Sequence, residues 1–470
     1  METKQRNWQL DAPEYAGGSL SESAYNIGAD VSFFPESETG RLQVVSDTTA
    51  EEFRAYEALL RQNGYQNTFS NEINRNLFAE YQKGNSLIYA YFKPFLKEAR
   101  IIVDTASIPL REFGYSYTPK DGESSAFYQY ALVYDPTGNG GGATSEKKYS
   151  NCGAFYIIKL ADNRVVLIDG GYDFQATREI SAGVMAFLRE ITGVKAPDKV
   201  EVASIFISHG HNDHKGNIEN LINDHADELI IERAFYNFPS VSLPGGGGAT
   251  FARFGSSLLE KFPNVKFMKP HTGEKFMLAD MQVEVVTTHE DRADPKTGES
   301  LLKDYNASST VLKLTFGNRS FIALADWGGN WTCSIREHEM AAYREEEAML
   351  LGMYRDENGE YPFLCADVVQ VAHHAINDWM EKIYAAIGAD YAFIAQADVS
   401  YDQFAHGCYN RVVDQLRALG ITDDRIYFAG RNTHALTVGQ NRELTHTATP
   451  IYCFNDYYLD LLKQYQPFYQ

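Results

Sequence analysis

The segment SHGHNDHKGN, residues 208–217, constrains the fold more than any other part of the chain. It places three histidines and an aspartate within six positions, directly after the apolar run ASIFI. Imidazole and carboxylate groups are costly to bury unless they are paired or bind a metal ion. The segment is therefore either a surface accident or a metal site at the end of a buried strand. The four side chains are those of His209, His211, Asp213 and His214.

Four further apolar runs also end in a side chain that can bind a metal. VVLIDGG ends at Asp169, VEVVTTHED at His289, RSFIALADWGG at Asp326, and ADVVQVAHHAIND at His373 and His374. A single polar residue at a strand end is more often a satisfied structural residue. Its recurrence at five strand ends predicts that these side chains converge on one rim of a sheet sandwich, where they could share metal ions.

The length and composition of the chain indicate a globular protein of more than one domain. Its 470 residues exceed one ordinary core, and 44 % of them are hydrophobic. The formal net charge of -21 repels phosphate backbones and argues against a nucleic-acid partner.

The cysteines and the apolar segments bear on the compartment. The five cysteines form no C-x-x-C pair and are typical of a reduced compartment, so we expect a cytoplasmic protein. Neither an apolar leader nor a run of eighteen apolar residues is present, so no membrane partner is predicted. A secretion signal that has been removed stays open, and the oligomeric state is not predicted.

The sequence divides into three regions. Residues 1–120 are predicted to form a small α+β accessory domain, in which the capping-box pair Thr49 and Glu52 starts a helix and Gly64 ends it. Residues 121–149 are rich in Gly, Ser and Lys and are interpreted as a linker or hairpin. Residues 150–470 alternate strands and helices, which implies helices packed on sheets.

The H-x-H-x-D-H pattern at 209–214, together with the strand-end Asp-Gly at 169–170, resembles the metallo-β-lactamase superfamily of metal-dependent hydrolases. The resemblance covers roughly residues 150–450 and implies an α+β fold, an αββα sandwich with two metals at one edge. It implies that His209, His211 and a later histidine hold the first metal. Asp213, His214 and a last histidine would hold the second, and Asp326 would bridge both. Asp169 is expected to support the ligands by hydrogen bonding.

Two assignments stay open at this point. The third histidine of the first site is either His289 or His271, and His289 is preferred because it ends a strand. Of the final pair, His373 is preferred as the ligand because it comes first after the strand, with His374 facing substrate. The candidate catalytic residues are His374 and Asp213, of which Asp213 is also a candidate metal ligand. Neutral imidazoles with carboxylates suit two divalent ions, zinc before manganese or iron.

A narrower similarity bears on the substrate. YNASSTVLKLTFGNRSFIALADWGGN followed by ADVVQVAHHA is similar to the hydrolase domain of bacterial DNA-uptake channel proteins and of phosphorylcholine esterases. Ala325 stands where these relatives usually have Gly, and Ala375 and Ile376 stand where Gly-Ser is usual. The similarity predicts phosphoester or phosphodiester hydrolysis by a metal-bridged hydroxide. Thioester or lactone hydrolysis is the alternative, and a third hypothesis is a metal-containing binding or sensing module without turnover.

Overall fold

A computed structural model describes residues 7–27, 40–104, 107–131, 153–171, 178–239, 248–302, 305–328, 337–376, 380–396, 408–429, 432–439 and 443–450. Part of the predicted linker, residues 132–149, lies outside the described residues.

The N-terminal region forms a sheet with one helix on its outer face. Its strands are β1 (Ser19–Leu20), β2 (Tyr25–Asn26), β3 (Arg41–Ser46), β4 (Gln66–Ile73), β5 (Asn76–Lys83), β6 (Ser86–Lys93) and β7 (Glu98–Asp104), in the spatial order β1-β3-β7-β6-β5-β4 with β2 beside β3. Helix α1 (Ala50–Gln62) starts at the predicted capping box, since Thr49 Oγ1 accepts from the Glu52 N–H at 3.2 Å and Glu52 Oε2 accepts from the Thr49 N–H at 3.1 Å. Phe53, Tyr56 and Leu60 bury its apolar face on the sheet.

The remaining described strands build two larger sheets. They are β8 (Tyr115–Ser116), β9 (Ala126–Gln129), β10 (Phe155–Lys159), β11 (Val165–Asp169), β12 (Val200–Phe206), β13 (Leu229–Ile231), β14 (Arg233–Phe235), β15 (Lys266–Met268), β16 (Lys275–Ala279), β17 (Met281–Thr287), β18 (Val311–Phe316), β19 (Arg319–Ala323), β20 (Val368–Val371), β21 (Tyr391–Ile394), β22 (Ile426–Phe428), β23 (Asn432–Val438) and β24 (Leu444–Pro450). One sheet has the order β15-β14-β12-β11-β10-β9-β23-β24 with β13 beside β12, and the other has the order β22-β21-β20-β19-β18-β17-β16-β8.

These two sheets pack face to face and carry helices on their outer surfaces. The helices on these surfaces are α3 (Arg178–Thr192), α4 (Gly216–Asp224), α5 (Gly248–Lys261), α6 (Glu337–Tyr354), α7 (Glu381–Ile387) and α8 (Cys408–Ala418). The short helix α2 (Leu110–Phe113) instead adds Leu110 and Phe113 to the core between the sheets. Side chains such as Phe127 from one sheet and Phe321 from the other meet in the central core, with ring centroids 4.1 Å apart. Helices α3 to α5 cover one outer face, and α6 to α8 cover the other. The predicted αββα sandwich is confirmed.

The sandwich includes more of the chain than the sequence suggested. Strand β8 pairs with β16, and β9 pairs with both β10 and β23, so residues 115–116 and 126–129 already belong to the two sheets. The structure therefore places part of the predicted linker, residues 126–129, inside the sandwich. The sequence does not predict this strand, because four residues next to a Gly- and Ser-rich run are too few to show a periodic pattern.

The contact between the N-terminal sheet and the sandwich is buried and charged. Lys93 pairs with Asp291, and Lys269 Nζ lies 3.1 Å from Asp104 Oδ2. Tyr91 donates a hydrogen bond of 2.9 Å to Asp291 Oδ1. All of these side chains are buried. The sheet is thus fastened to the sandwich by ion pairs that water does not reach. Among the described residues, no helix is long and apolar enough to cross a membrane.

Candidate metal centre

The side chains predicted from the strand ends, His289 excepted, meet at one edge of the sandwich. Strands β11 and β12 are parallel neighbours in one sheet, and β19 and β20 are parallel neighbours in the other. The carboxyl ends of parallel strands point the same way, so the residues that follow them share one rim. Asp169 ends β11, the segment with His209 follows β12, Asp326 follows β19, and the pair at 373–374 follows β20.

The first group that could hold a metal consists of His209, His211 and Asp326. Nε2 of His209 lies 3.2 Å from Nδ1 of His211 and 3.6 Å from Oδ2 of Asp326. All three side chains are buried. Their ligand atoms lie within 4.8 Å of one another, close enough for one ion to reach them all.

The second group consists of Asp213, His214, Asp326 and His374. Nε2 of His374 lies 3.2 Å from Oδ2 of Asp213 and 3.3 Å from Oδ2 of Asp326. Nε2 of His214 also lies 3.3 Å from Oδ2 of Asp326. Asp326 is therefore shared by both groups, which is the position the sequence analysis gave to a bridging carboxylate.

Asp169 stands behind these groups and orients them. Its Oδ2 accepts a hydrogen bond of 2.8 Å from Nδ1 of His214 and one of 2.9 Å from the hydroxyl of Ser208. Its Oδ1 accepts from the Ser208 N–H at 2.8 Å. The Ser208 hydroxyl lies 3.0 Å from Nδ1 of His209, so one carboxylate fixes two imidazole rings with Nε2 facing the groups. This placement matches the supporting role expected for Asp169.

The chain after β20 takes an unusual path that decides between the two adjacent histidines. His373, His374 and Ala375 have φ angles of 45°, 55° and 63°, the left-handed region that residues other than glycine seldom adopt. Nδ1 of His374 donates a 2.8 Å hydrogen bond to the Ala395 carbonyl, which aims its Nε2 at Asp213 and Asp326. Nε2 of His373 instead lies 3.1 Å from the Asn306 amide nitrogen and 4.0 Å from Oδ2 of Asp326.

The structure therefore exchanges the positions that the sequence-based preference gave to His373 and His374. His374, assigned to the substrate side, lies among the ligand groups, and His373, assigned as the ligand, lies beside them. The physical reason is the left-handed turn, because the order of two residues along a chain predicts their directions only when the backbone is regular. Ala325 (φ 50°) and Ala375 are the positions where relatives usually have Gly, and both adopt the conformation that glycine tolerates best.

Neither His289 nor His271 joins a metal-binding group of the described residues. Nε2 of His289 donates to Oδ1 of Asn237 at 2.8 Å, and its Nδ1 lies 3.3 Å from the Tyr25 hydroxyl. Nδ1 of His271 donates to Oε1 of Glu290 at 2.8 Å. Burial lowers the pKa of His289 to about 4. Burial would also lower that of His271, but Glu290 outweighs it and raises the pKa to about 9.

The open choice between these two histidines is thus not settled in favour of either one. Both side chains belong to the polar contact with the N-terminal sheet. His289 does follow a strand end, but strand β18 lies between β17 and the β19 strand that leads to Asp326.

Burial and close opposite charges shift the pKa values in the two groups. Burial lowers the pKa of His209 well below its usual value. Burial opposes protonation of His214 and His374 as well, but the neighbouring carboxylates, Asp326 first, outweigh it and raise both pKa values well above the usual range. The same two imidazoles hold the pKa of Asp326 well below its ordinary value, against its burial.

The donor atoms also fit bound metal. Nε2 of His214, Nε2 of His374 and Oδ1 of Asp326 are buried and, among the described residues, make no well-aligned hydrogen bond. Buried polar atoms without partners are destabilising unless a ligand satisfies them. Imidazole nitrogens with two carboxylates are the donors that zinc prefers, and a shared carboxylate suits two adjacent ions.

Sequence reasoning assigned no role to Asn306, which lies fully buried beside His373. Its signal was present, because Asn306 opens the stretch NASSTVLKL that precedes β18. An isolated asparagine before a strand is so common in turns that the residue type alone does not indicate a site.

An αββα sandwich with H-x-H-x-D-H at one edge is the architecture that the resemblance to the metallo-β-lactamase superfamily implied. No family model matches this chain, and no curated protein matches it.

Several solved structures are similar to part of the chain. Zinc-bound PqqB from Methylobacterium extorquens is 9 % identical, with 65 % of this chain and 97 % of that chain covered and a TM-score of 0.34. CmlA, a diiron β-hydroxylase from Streptomyces venezuelae, is 12 % identical, with 71 % and 55 % covered and a TM-score of 0.32. The metallo-β-lactamase MIM-2 is 12 % identical, with 64 % and 92 % covered and a TM-score of 0.25.

Proposed function

We propose that this protein is a dinuclear metal-dependent hydrolase of esters, with phosphoesters or phosphodiesters as its substrate class. The observation that carries the proposal is the position of Asp326. Its Oδ2 lies within 3.6 Å of His209 and within 3.3 Å of His214 and His374, so one buried carboxylate joins the two groups. A carboxylate shared between two adjacent cation sites is the arrangement of two-metal hydrolytic centres.

The proposal gives the residues two kinds of role, binding the metal ions and orienting the ligands. Two bound divalent ions would supply a water of lowered pKa and would neutralise charge that develops on the substrate. His209 and His211 would hold one ion, Asp213, His214 and His374 the other, and Asp326 both. Asp169 and the Ala395 carbonyl would keep the imidazole rings of His214 and His374 in the orientation that exposes Nε2.

We propose zinc as the metal. Four imidazoles and two carboxylates form the two groups, and imidazole-rich sites favour zinc over manganese. The solved PqqB structure contains zinc, and CmlA is a diiron enzyme. His211 stands where the oxygen-reducing diiron branch of the superfamily usually has Glu, which favours hydrolysis over oxygen chemistry here.

The phosphoester class rests on the similarity of 305–330 and 366–375 to phosphorylcholine esterases and DNA-uptake hydrolase domains. Thioester or lactone hydrolysis is the second candidate. It is disfavoured because the Gly-His-Ser-Pro-Gly stretch of the enzymes that cleave such bonds is absent from the sequence.

The test measures metal content and turnover on one zinc-reconstituted preparation. We expect close to two zinc ions per chain and hydrolysis of bis-p-nitrophenyl phosphate, with little activity on a panel of thioesters and lactones. Asp326→Ala should release at least one ion and reduce turnover by orders of magnitude, because the cations lose their shared anionic ligand. Circular dichroism checks that the variant is folded.

Two outcomes would contradict the proposal in different ways. A protein with two zinc ions that cleaves thioesters or lactones but not phosphodiesters would move it to the second substrate class. A protein with two zinc ions that cleaves no ester would favour the binding or sensing module.

A further inference from the structure

We propose that Asn306 completes the first metal site, with its side-chain amide oxygen as a ligand beside His209, His211 and Asp326. The inference rests on the proposed dinuclear site and assigns the position that the sequence analysis gave to His289 or His271.

Two hydrogen bonds fasten the segment that carries Asn306 to both ligand-bearing strand ends. Asn306 begins a short 3-10 turn (Asn306–Ser308) just before β18. The Thr310 N–H donates to the Ser208 carbonyl at 3.0 Å, directly beside His209. The Asp326 N–H donates to the Ser309 hydroxyl at 3.2 Å. The turn therefore bridges the two sheets at the metal edge.

Close packing around Gly210 brings the same segment against the H-x-H pair. A Cβ at Gly210 would lie 2.7 Å from Cδ1 of Tyr305, so a larger residue at this position would displace the ring. The ring centroids of Tyr305 and His211 are 6.0 Å apart. Asn306 is the next residue after this contact, so its backbone lies near His211 of the first metal group.

The orientation of the Asn306 amide leaves its oxygen for a ligand. The amide nitrogen donates a 3.1 Å hydrogen bond to Nε2 of His373, which itself lies 4.0 Å from Oδ2 of Asp326. This bond fixes the nitrogen toward His373 and occupies the lone pair that His373 would need to bind a metal. Asn306 is fully buried, and its Oδ1 has no hydrogen-bond partner among the described residues. A bound cation would satisfy that oxygen.

The ligand set predicts unequal affinities at the two sites. The first site would have two imidazoles, the shared carboxylate and one neutral oxygen, whereas the second has two imidazoles and two carboxylates. A neutral amide oxygen attracts a divalent cation less strongly than a carboxylate does. We therefore expect the second site to fill first and the first site to release its ion first.

The experiment is a zinc titration against a chromogenic chelator, repeated with cobalt to follow the absorption spectrum of each site. The wild type should bind two ions with distinguishable affinities. Asn306→Ala should lower the affinity for the more weakly bound ion by ~10-fold or more and leave the affinity for the more tightly bound ion unchanged. Asn306→Asp, which restores an oxygen donor, should recover binding of both. His289→Ala is the comparison for the displaced assignment and should leave both affinities as in the wild type, with circular dichroism as the folding check for every variant.

The possible failures are distinguishable. Unchanged affinities in Asn306→Ala, with two ions bound by the wild type, would overturn the assignment of Asn306 but not the dinuclear site. If Asn306→Asp were as weak as Asn306→Ala, the residue would act only as a hydrogen-bond donor to His373, and the ligand assignment would be wrong. A wild type that binds fewer than two ions would overturn the proposed function and this inference together.

Discussion

At the scale of single residues, the pair after β20 shows how backbone conformation assigns roles to identical side chains. His373 and His374 differ in what holds their Nε2 atoms: the Asn306 amide faces the first, and two carboxylates face the second. We expect His374→Ala to lose about one zinc ion per chain, because it removes one of the two imidazole ligands of the second group. His373→Ala should retain close to two. Elemental analysis of both dialysed variants measures this, and the reverse result would restore His373 as the ligand.

At the scale of an element, the 3-10 turn His289–Arg292 after β17 is a buried polar unit with its own pH dependence. Glu290 in this turn accepts from His271 and raises the pKa of His271 from its ordinary 6.5 to about 9. A raised pKa means that the protonated pair stabilises the fold fully below pH 6.5 and that this stabilisation is lost as the pH rises through 9. The shift corresponds to about 3 kcal/mol of unfolding free energy.

The expected result is a thermal midpoint of the wild type that falls between pH 6.5 and 9.5, while that of His271→Gln changes much less over the same interval. His289 cannot produce this slope, because its pKa is lowered to about 4 and its contribution changes only as the pH falls from 6.5 through 4. Thermal unfolding followed by circular dichroism at pH 6, 7.5 and 9.5 makes the comparison. If the thermal midpoints of the two proteins changed equally with pH, the His271–Glu290 ion pair would not be the source of the pH dependence.

At the scale of the whole molecule, the N-terminal sheet is bound to the sandwich through charges that are fully enclosed. Lys93 and Asp291 are both buried, and burial lowers the pKa of Lys93 while Asp291 partly restores it. Removing one partner leaves an unpaired buried charge, which costs about 3–5 kcal/mol, whereas replacing both by apolar residues costs much less. Lys93→Met should therefore lower the thermal midpoint sharply, and Lys93→Met with Asp291→Leu should recover part of the loss.

The buried ion pair also affects how many transitions the molecule shows on unfolding. Because the ion pair links the two units, the wild type should unfold in one calorimetric transition. Two transitions, with only the earlier one shifted in Lys93→Met, would show instead that the N-terminal sheet is an independent accessory domain, as the sequence suggested.

The sequence by itself determined the layers of the fold and most of the polar side chains that its strands carry to one rim. Apolar runs that end in Asp169, His209 and Asp326 predicted buried strands whose polar ends share one rim, because burial patterns and strand polarity are local properties of the chain. The capping box at Thr49 likewise predicted the start of α1, since its hydrogen bonds connect residues three positions apart.

Only the tertiary structure decided which neighbouring side chains meet. His374 replaces His373 in the second group because three successive left-handed residues redirect the chain, and no local pattern of alanines and histidines predicts that strain. His289 and His271 belong to the contact with the N-terminal sheet, where the Tyr25 hydroxyl lies 3.3 Å from Nδ1 of His289 and the ring of Tyr89 stacks on that of His271. Asn306 lies beside His373, and the residue before it, Tyr305, packs closely on Gly210 of the H-x-H pair. These outcomes depend on distances between segments far apart in the chain, and periodicity and spacing contain no information about them.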